Sequence, residues 1–302
     1  MTFDTRESSR YSGAPITLYL IRGAENETAD VPLGPFAFCD GETDIVRPIL
    51  DSEGNSVDTT FHPWPIKKSD LSHDGTLDKS DLTVSMALGS EMDTLFLAYP
   101  PSQVVNLTIF EGHVGDAVTV GNFPAVWLGR ITSGAYKDNE LDLSCVPVST
   151  SIKRPGLRRN YQLGCPHALY EANSCGASKA AATVMRETVS VVRNVITMDV
   201  SLGATYAQYV GGLLEWANSD TGQKELRTIS AVHPAGLVIT VRGAGRGLAP
   251  GTTLSVIRGC NRQMSGCNQH IDSVAGGSNI RNYGGQPFIP LENPLSQKSQ
   301  FY

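Results

Sequence analysis

Four of the six cysteines stand as two tight pairs, Cys165 with Cys175 and Cys260 with Cys267. The spacings are C-x9-C and C-x6-C, with 84 residues between Cys175 and Cys260. Four thiolates brought together by folding complete a zinc site or hold an iron–sulfur cluster. Either would tie the far end of the chain back to its middle. Neither spacing is the C-x2-C knuckle of zinc ribbons or the C-x2-C-x2-C run of bacterial ferredoxins, so spacing leaves the metal open.

The flanking residues favour a ligand role. Cys165 precedes Pro166, Cys175 precedes Gly176, Cys260 follows Gly259 and Cys267 follows Gly266. Backbone that turns tightly around a ligand uses such residues. Cys39 and Cys145 read instead as buried free cysteines, which behave as small hydrophobes. His167 and His270 lie two and three residues from a cysteine. A site of three cysteines and one histidine is sound zinc chemistry, but four cysteines already complete a set. Both histidines therefore read as neighbours of the site. The basic run Lys153, Arg154, Arg158 and Arg159 precedes Cys165. It would offset thiolate charge, although a solvated or partner-facing segment is the simpler reading.

Other chemistry is thinly represented. There is no G-x-S-x-G, H-E-x-x-H or phosphate loop. Gly243, Gly245 and Gly247 follow a strand pattern, but another strand pattern comes next, which predicts a hairpin rather than a nucleotide loop. Asp74, Asp78 and Asp81 lack the alternation of a Ca²⁺ loop. The triplets at 26–28 and 106–108 have the glycosylation pattern, which has no bearing in the cytosol.

The elements that must position the cysteines are mostly strands. Apolar residues alternate at Ile16, Leu18 and Leu20, at Leu82, Val84, Met86 and Leu88, at Val105, Leu107 and Ile109, and at Leu141, Leu143 and Cys145. Period-2 alternation marks a strand with one buried face. Residues 125–132 read as a further strand, and 90–99 as a short helix stopped by Pro100 and Pro101. Residues 1–152 form one β-barrel or sandwich on this reading. Residues 153–185 are a connector carrying the first cysteine pair, with helix-forming composition over 177–188. A second, smaller β unit spans 186–258, and 259–302 is an irregular segment carrying the second pair. Strands that close on themselves bring the edges of that second unit, and the two pairs, together. The expected class is mainly β, with two barrel-like domains.

Bulk composition agrees. The 302 residues are 40% hydrophobic and 18% charged, with 30 glycines and 17 prolines, a turn-rich globular chain. A net charge of −6 gives no general attraction to nucleic acid or anionic membrane. The N-terminus MTFDTRESSRYSGAP has no apolar core of the signal-peptide kind, and no stretch reaches membrane-spanning length. Folding in a reducing cytosol is the expectation, where cysteine pairs read as metal sites before disulfides.

Two motifs carry a resemblance. One is Pro155-Gly156, Tyr161, Cys165 and Cys175-Gly176. The other is Gly259-Cys260, Cys267, Asn282-Tyr283-Gly284-Gly285 and Pro287-Phe288-Ile289-Pro290. Together they resemble a siphophage tail-tip family that includes lambda-type minor tail proteins and the baseplate hub proteins of gene transfer agents. The resemblance covers most of the chain and is tightest at 153–176 and 258–291. It implies a [4Fe–4S] cluster on Cys165, Cys175, Cys260 and Cys267, and tail-tube-like barrel domains. It also implies a hub, expected to be a homotrimer, between the distal tail protein ring and the central fibre or tail-tip protein. The chain is then a structural virion protein rather than an enzyme, assembled in the host cytoplasm and placed at the tail tip. DNA would pass through its lumen without specific binding, and no stable membrane insertion is expected. The alternatives are the same role with a four-cysteine zinc site, or an iron–sulfur redox protein.

Overall fold

Residues 1–154 and 155–302 form two units. The computed structural model describes residues 3–9, 11, 13–23, 33–51, 54–71, 81–96, 101–119, 121–151 and 161–289. The basic residues Lys153, Arg154, Arg158 and Arg159 lie outside the described residues. So do Asp74, Asp78, the triplet at 26–28, Pro100 and the motif residues Pro155, Gly156 and Pro290. Strand accounts for 43% and helix for 12%, which makes the chain mainly β against an average strand content of about 20–25%.

The first unit opens with a short helix, α1 (Phe3–Glu7). Its strands are β1 (Pro15–Gly23), β2 (Phe36–Cys39), β3 (Ile45–Leu50), β4 (Ser56–Pro63), β5 (Ile66–Lys68) and β6 (Leu82–Ala87). Helix α2 (Glu91–Phe96) follows, then β7 (Val105–His113), β8 (Ala125–Lys137) and β9 (Glu140–Pro147). They make one nine-stranded sheet in the order β3-β4-β2-β1-β7-β8-β9-β6-β5. The pairings are antiparallel except β2 with β4, where Phe38 lies beside His62.

Two expectations change here. The sheet runs from edge strand β3 to edge strand β5, and no pairing between these edges is present among the described residues, so the first unit is a sheet and the second is the closed barrel. Strand β1 was expected to bury one face and buries both. Ile16, Leu18 and Leu20 pack with Phe61, Phe110 and Phe123, while Tyr19 and Ile21 pack with Leu107, Ile109 and Leu141. The reason is position, because β1 lies between β2 and β7 with a core on each face. Cys39 and Cys145 are free and fully buried. Burial raises the pKa of both thiols, and that of Cys145 is pushed up to about 12.

The second unit contains β10 (Thr183–Val192), β11 (Val195–Met198), β12 (Leu213–Ala217), β13 (Lys224–Val232), β14 (Val238–Val241) and β15 (Thr253–Ile257). They close into a barrel in the order β10-β11-β14-β13-β12-β15. The helix-forming composition of 177–188 yields only a 3₁₀ turn at Ala180–Ala182. From Thr183 the chain pairs with β15, and that tertiary pairing overrides a weak local propensity. The strands of this unit therefore start at 183, three residues before the expected edge. The glycine-rich run at 243–247 is a crossing rather than a hairpin. Strand β14 pairs with β11 and β13, whereas β15 pairs with β10 and β12. A turn at His233 and Pro234 closes β13 onto β14, with the His233 amide donating to Val238 O at 2.9 Å.

Ile196, Leu214, Ile239, Leu254 and Val256 fill the barrel core. On β13, however, Glu225 and Arg227 alternate with Ile229 on the buried face. Their side chains pair at 3.0 Å and are 4% and 1% exposed. Arg227 also lies 5.8 Å from the Trp216 ring, and Trp216 Nε1 donates to Arg246 O at 2.8 Å. That bond fastens the crossing segment to the barrel. Removing one partner of a buried pair leaves the other charge uncompensated, whereas removing both can be nearly neutral. Glu225→Leu is expected to cost about 3–5 kcal/mol, and Glu225→Leu with Arg227→Met much less. Denaturant unfolding of the three proteins checks this, and a single-variant loss below about 1 kcal/mol would contradict the pair's role.

Candidate metal centre: a four-cysteine cavity

Barrel closure decides where the cysteines meet. Thr183, at the start of β10, lies opposite Ile257, at the end of β15. The chain reaches β10 from Cys175 and leaves β15 toward Cys260, so both pairs arrive at the same barrel edge. Hydrogen bonds then lace the two segments together. Arg258 N donates to Ala182 O at 3.1 Å, Ser178 N to Ile271 O at 2.7 Å and Ser273 N to Gly176 O at 2.8 Å. Cys165 N donates to Arg262 O at 2.8 Å, and the Arg262 guanidinium donates back to Cys165 O at 3.1 Å. A short helix, α3 (Met264–Asn268), carries Cys267.

All four cysteines line one cavity of about 100 Å³, with His167, His270, Arg262, Asn279 and Asn282 around them. A single water needs only about 10–15 Å³ on such a measure. All four are free; Cys165, Cys175 and Cys267 are buried and Cys260 is partly so. Burial pushes the Cys260 and Cys267 thiols above the usual cysteine range. The neighbouring thiolates push them the same way, Cys175 and Cys165 on Cys260, and all three others on Cys267. A bound cation would compensate the thiolate charge gathered there. Among the described residues no three Cys, His, Asp or Glu side chains form a group that could hold a metal ion as they stand. The donor set itself, four thiols of one electrostatic neighbourhood, fits a four-thiolate group.

The histidines are held by backbone carbonyls. His167 Nδ1 lies 3.2 Å from Asn282 O. His270 Nε2 lies 3.1 Å from Gly259 O, and its ring meets Tyr170 edge-on at 5.7 Å. Burial lowers the His270 pKa below the usual histidine range, so the ring is neutral at pH 7. Tyr170 donates to Arg258 O at 2.5 Å, and burial raises its own pKa. The glycines beside the cysteines are required by close approach. A Cβ on Gly259 would lie 2.3 Å from Val210 O and 2.7 Å from Gly212 N, both backbone. Gly176 has φ +65°, and a Cβ there would meet Asn282 Nδ2 at 2.7 Å.

Asn279 was not singled out by its sequence context. It is 1% exposed and donates through Nδ2 to Cys175 O at 2.9 Å. Only the rule that a buried amide must find partners would have drawn attention to it, and that rule needs its burial to be known.

Residues 207–293 match the family described as "Phage conserved hypothetical protein BR0599". That span runs from the approach to β12 through Cys260, Cys267 and the motif at 282–285. A protein of Xylella fastidiosa (strain 9a5c), described as "Uncharacterized protein", is 24% identical over 187 residues. The match covers 59% of this chain and 35% of that protein, so the chain spans about a third of its relative's length. Among solved structures, a chain from "Virion of native gene transfer agent (GTA) particle" superposes with a TM-score of 0.66 and 13% identity. The superposition covers 99% of this chain and 96% of the other, so the two share a fold over their whole lengths.

Gly259→Ala is expected to destabilise the second unit by about 1–3 kcal/mol, because backbone must move to admit the methyl. Gly121→Ala meets nothing within 4 Å and is expected to stay within about 0.5 kcal/mol of wild type. Thermal unfolding of the two variants side by side tests the contrast.

Proposed function

We propose that this chain is a structural protein of a phage-type tail, a baseplate hub at the tail tip, with a [4Fe–4S] cluster on Cys165, Cys175, Cys260 and Cys267. One observation carries the reading. Four thiols from segments 84 residues apart line one cavity, in a fold shared end to end with a chain of a gene transfer agent virion.

The size of the cavity and its four-cysteine lining support a cluster over zinc. Zn–S bonds of 2.3 Å in a tetrahedron draw four sulfurs to about 3.8 Å from one another. A cluster places each thiolate on its own iron, around a larger body. A cavity of about 100 Å³ lined by four cysteines suits the second arrangement. When bound, the group supplies metal–thiolate bonds that couple the barrel exit to the connector, so its binding energy becomes folding energy. The residues around it hold the segments in register: Arg262 clasps Cys165, Tyr170 holds Arg258, and His270 caps Gly259.

In this reading the chain assembles as a homotrimer between the distal tail ring and the central fibre, inside the virion. Two β units per subunit give a threefold hub six β units to set against a sixfold ring. The charge is divided unevenly. Acidic side chains outnumber basic ones two to one in residues 1–154, and basic ones prevail in 155–302. Free passage of DNA therefore falls to the acidic first unit, while the second unit offers more cations to its neighbours. No helix among the described residues is long and apolar enough to cross a membrane.

Purification without oxygen is expected to give a brown protein with acid-labile sulfide. Cys165→Ser or Cys260→Ser should abolish both the colour and tail assembly. A colourless protein carrying zinc would replace the cluster with an ion. Normal yields of infectious particles from either variant would sink the structural role of the site.

A further inference from the structure

We infer that Asp272, Asn282 and Asn279 form a relay that aims amide N–H groups at the sulfurs, with Asn279 as the residue positioning Cys175 and Cys267. This rests on the four-thiolate reading above and goes further by saying how the protein holds those thiolates before and after metal arrives.

The relay starts at Asp272. Its Oδ1 accepts from Val274 N at 2.8 Å and Ala275 N at 3.0 Å, which fixes the carboxylate in a turn. Its Oδ2 accepts from Asn282 Nδ2 at 3.1 Å. An ionised carboxylate only accepts, so Asn282 must present its NH₂ group there. The second N–H of that group reaches Asn279 Oδ1 at 2.8 Å. Asn279 Oδ1 is thereby fixed as an acceptor, and the Asn279 NH₂ is turned the other way. It donates to Cys175 O at 2.9 Å and faces Cys267 Sγ at 3.6 Å and Cys175 Sγ at 4.0 Å. The orientation of a buried amide is assigned from its network, and here a carboxylate at the far end leaves one choice.

Two features make this more than packing. Asn279 touches one cysteine of each pair, so it joins the two pairs directly. It also meets Cys267 twice. Its own carbonyl accepts from the Cys267 thiol at 3.2 Å, a contact that turns repulsive once the sulfur is a thiolate. The side-chain N–H then remains as the donor that a thiolate accepts. Asn279 thus offers one partner to the protonated sulfur and another to the ligating one. Donors to ligating sulfurs favour the more negative, reduced state of a cluster and set its potential.

The test compares Asn279→Leu and Asn282→Leu with wild type, all reconstituted with ferrous iron and sulfide. All four cysteines remain, so the variants are expected to load. Their midpoint potentials should fall, more for Asn279→Leu, and chelator should strip their iron with about 10- to 100-fold weaker retention. A merely structural asparagine would leave the potential where it is. Asn282→Leu touches no sulfur, and carries the test alone if Asn279→Leu does not fold. An unchanged potential in a folded, cluster-loaded variant overturns the relay and leaves the cluster reading standing. A wild-type chain that takes up neither iron with sulfide nor zinc overturns both. If wild type takes zinc alone, the same weaker retention in the variants supports the relay, and equal retention overturns it.

Discussion

The second unit depends on one ladder, the antiparallel pairing of β10 with β15. It is the seam that closes the barrel, and it joins residues more than sixty positions apart. Without it the barrel is an open sheet with two long edges, an arrangement that invites mispairing. With it, the start of β10 and the end of β15 sit side by side, and whatever flanks them is forced together. The cysteines, the clasp between Arg262 and Cys165, and the bonds from the connector to residues 258–282 all follow from that seam. The site is a consequence of topology before it is a consequence of chemistry.

The first unit solves a different problem. Its sheet carries cores on both faces, and β1 supplies residues to each. That explains the continuous burial along Ile16 to Ile21, and why alternation alone misjudged the strand. Edge strand β3 carries Pro48, which tolerates an edge because its missing N–H takes nothing from a ladder. Exposed Val46 and Leu50 on the same strand are compatible with that edge position.

What could be read from the sequence follows the range of each interaction. Alternating strands such as Leu82–Ala87 and Glu140–Pro147 declare themselves because their pattern is local. Strand β12, Leu213–Ala217, does not, because five mostly apolar residues have no readable period. The grouping of the four cysteines was legible from residue type and from the glycines beside them. Strand partners were not: the run at 243–247 resembles a hairpin, and only the choice of β13 and β11 as neighbours of β14 shows otherwise. The relay through Asp272, Asn282 and Asn279 was further still from view. It depends on which way three short side chains point after the backbone has folded back on itself.

The separation of the pairs has a meaning in time. Cys165 and Cys175 leave the ribosome ahead of the whole barrel, and Cys260 and Cys267 after it. At synthesis rates of about 5–20 residues per second, the first thiols wait about 5–20 s for the second. During that wait the chain holds two sulfurs and no site. A nascent chain that stops early, or a barrel that closes in the wrong order, presents only half a ligand set. Completion of the four-thiol cavity therefore dates closure of the barrel, and any group that demands all four sulfurs selects chains with a closed barrel from those without one.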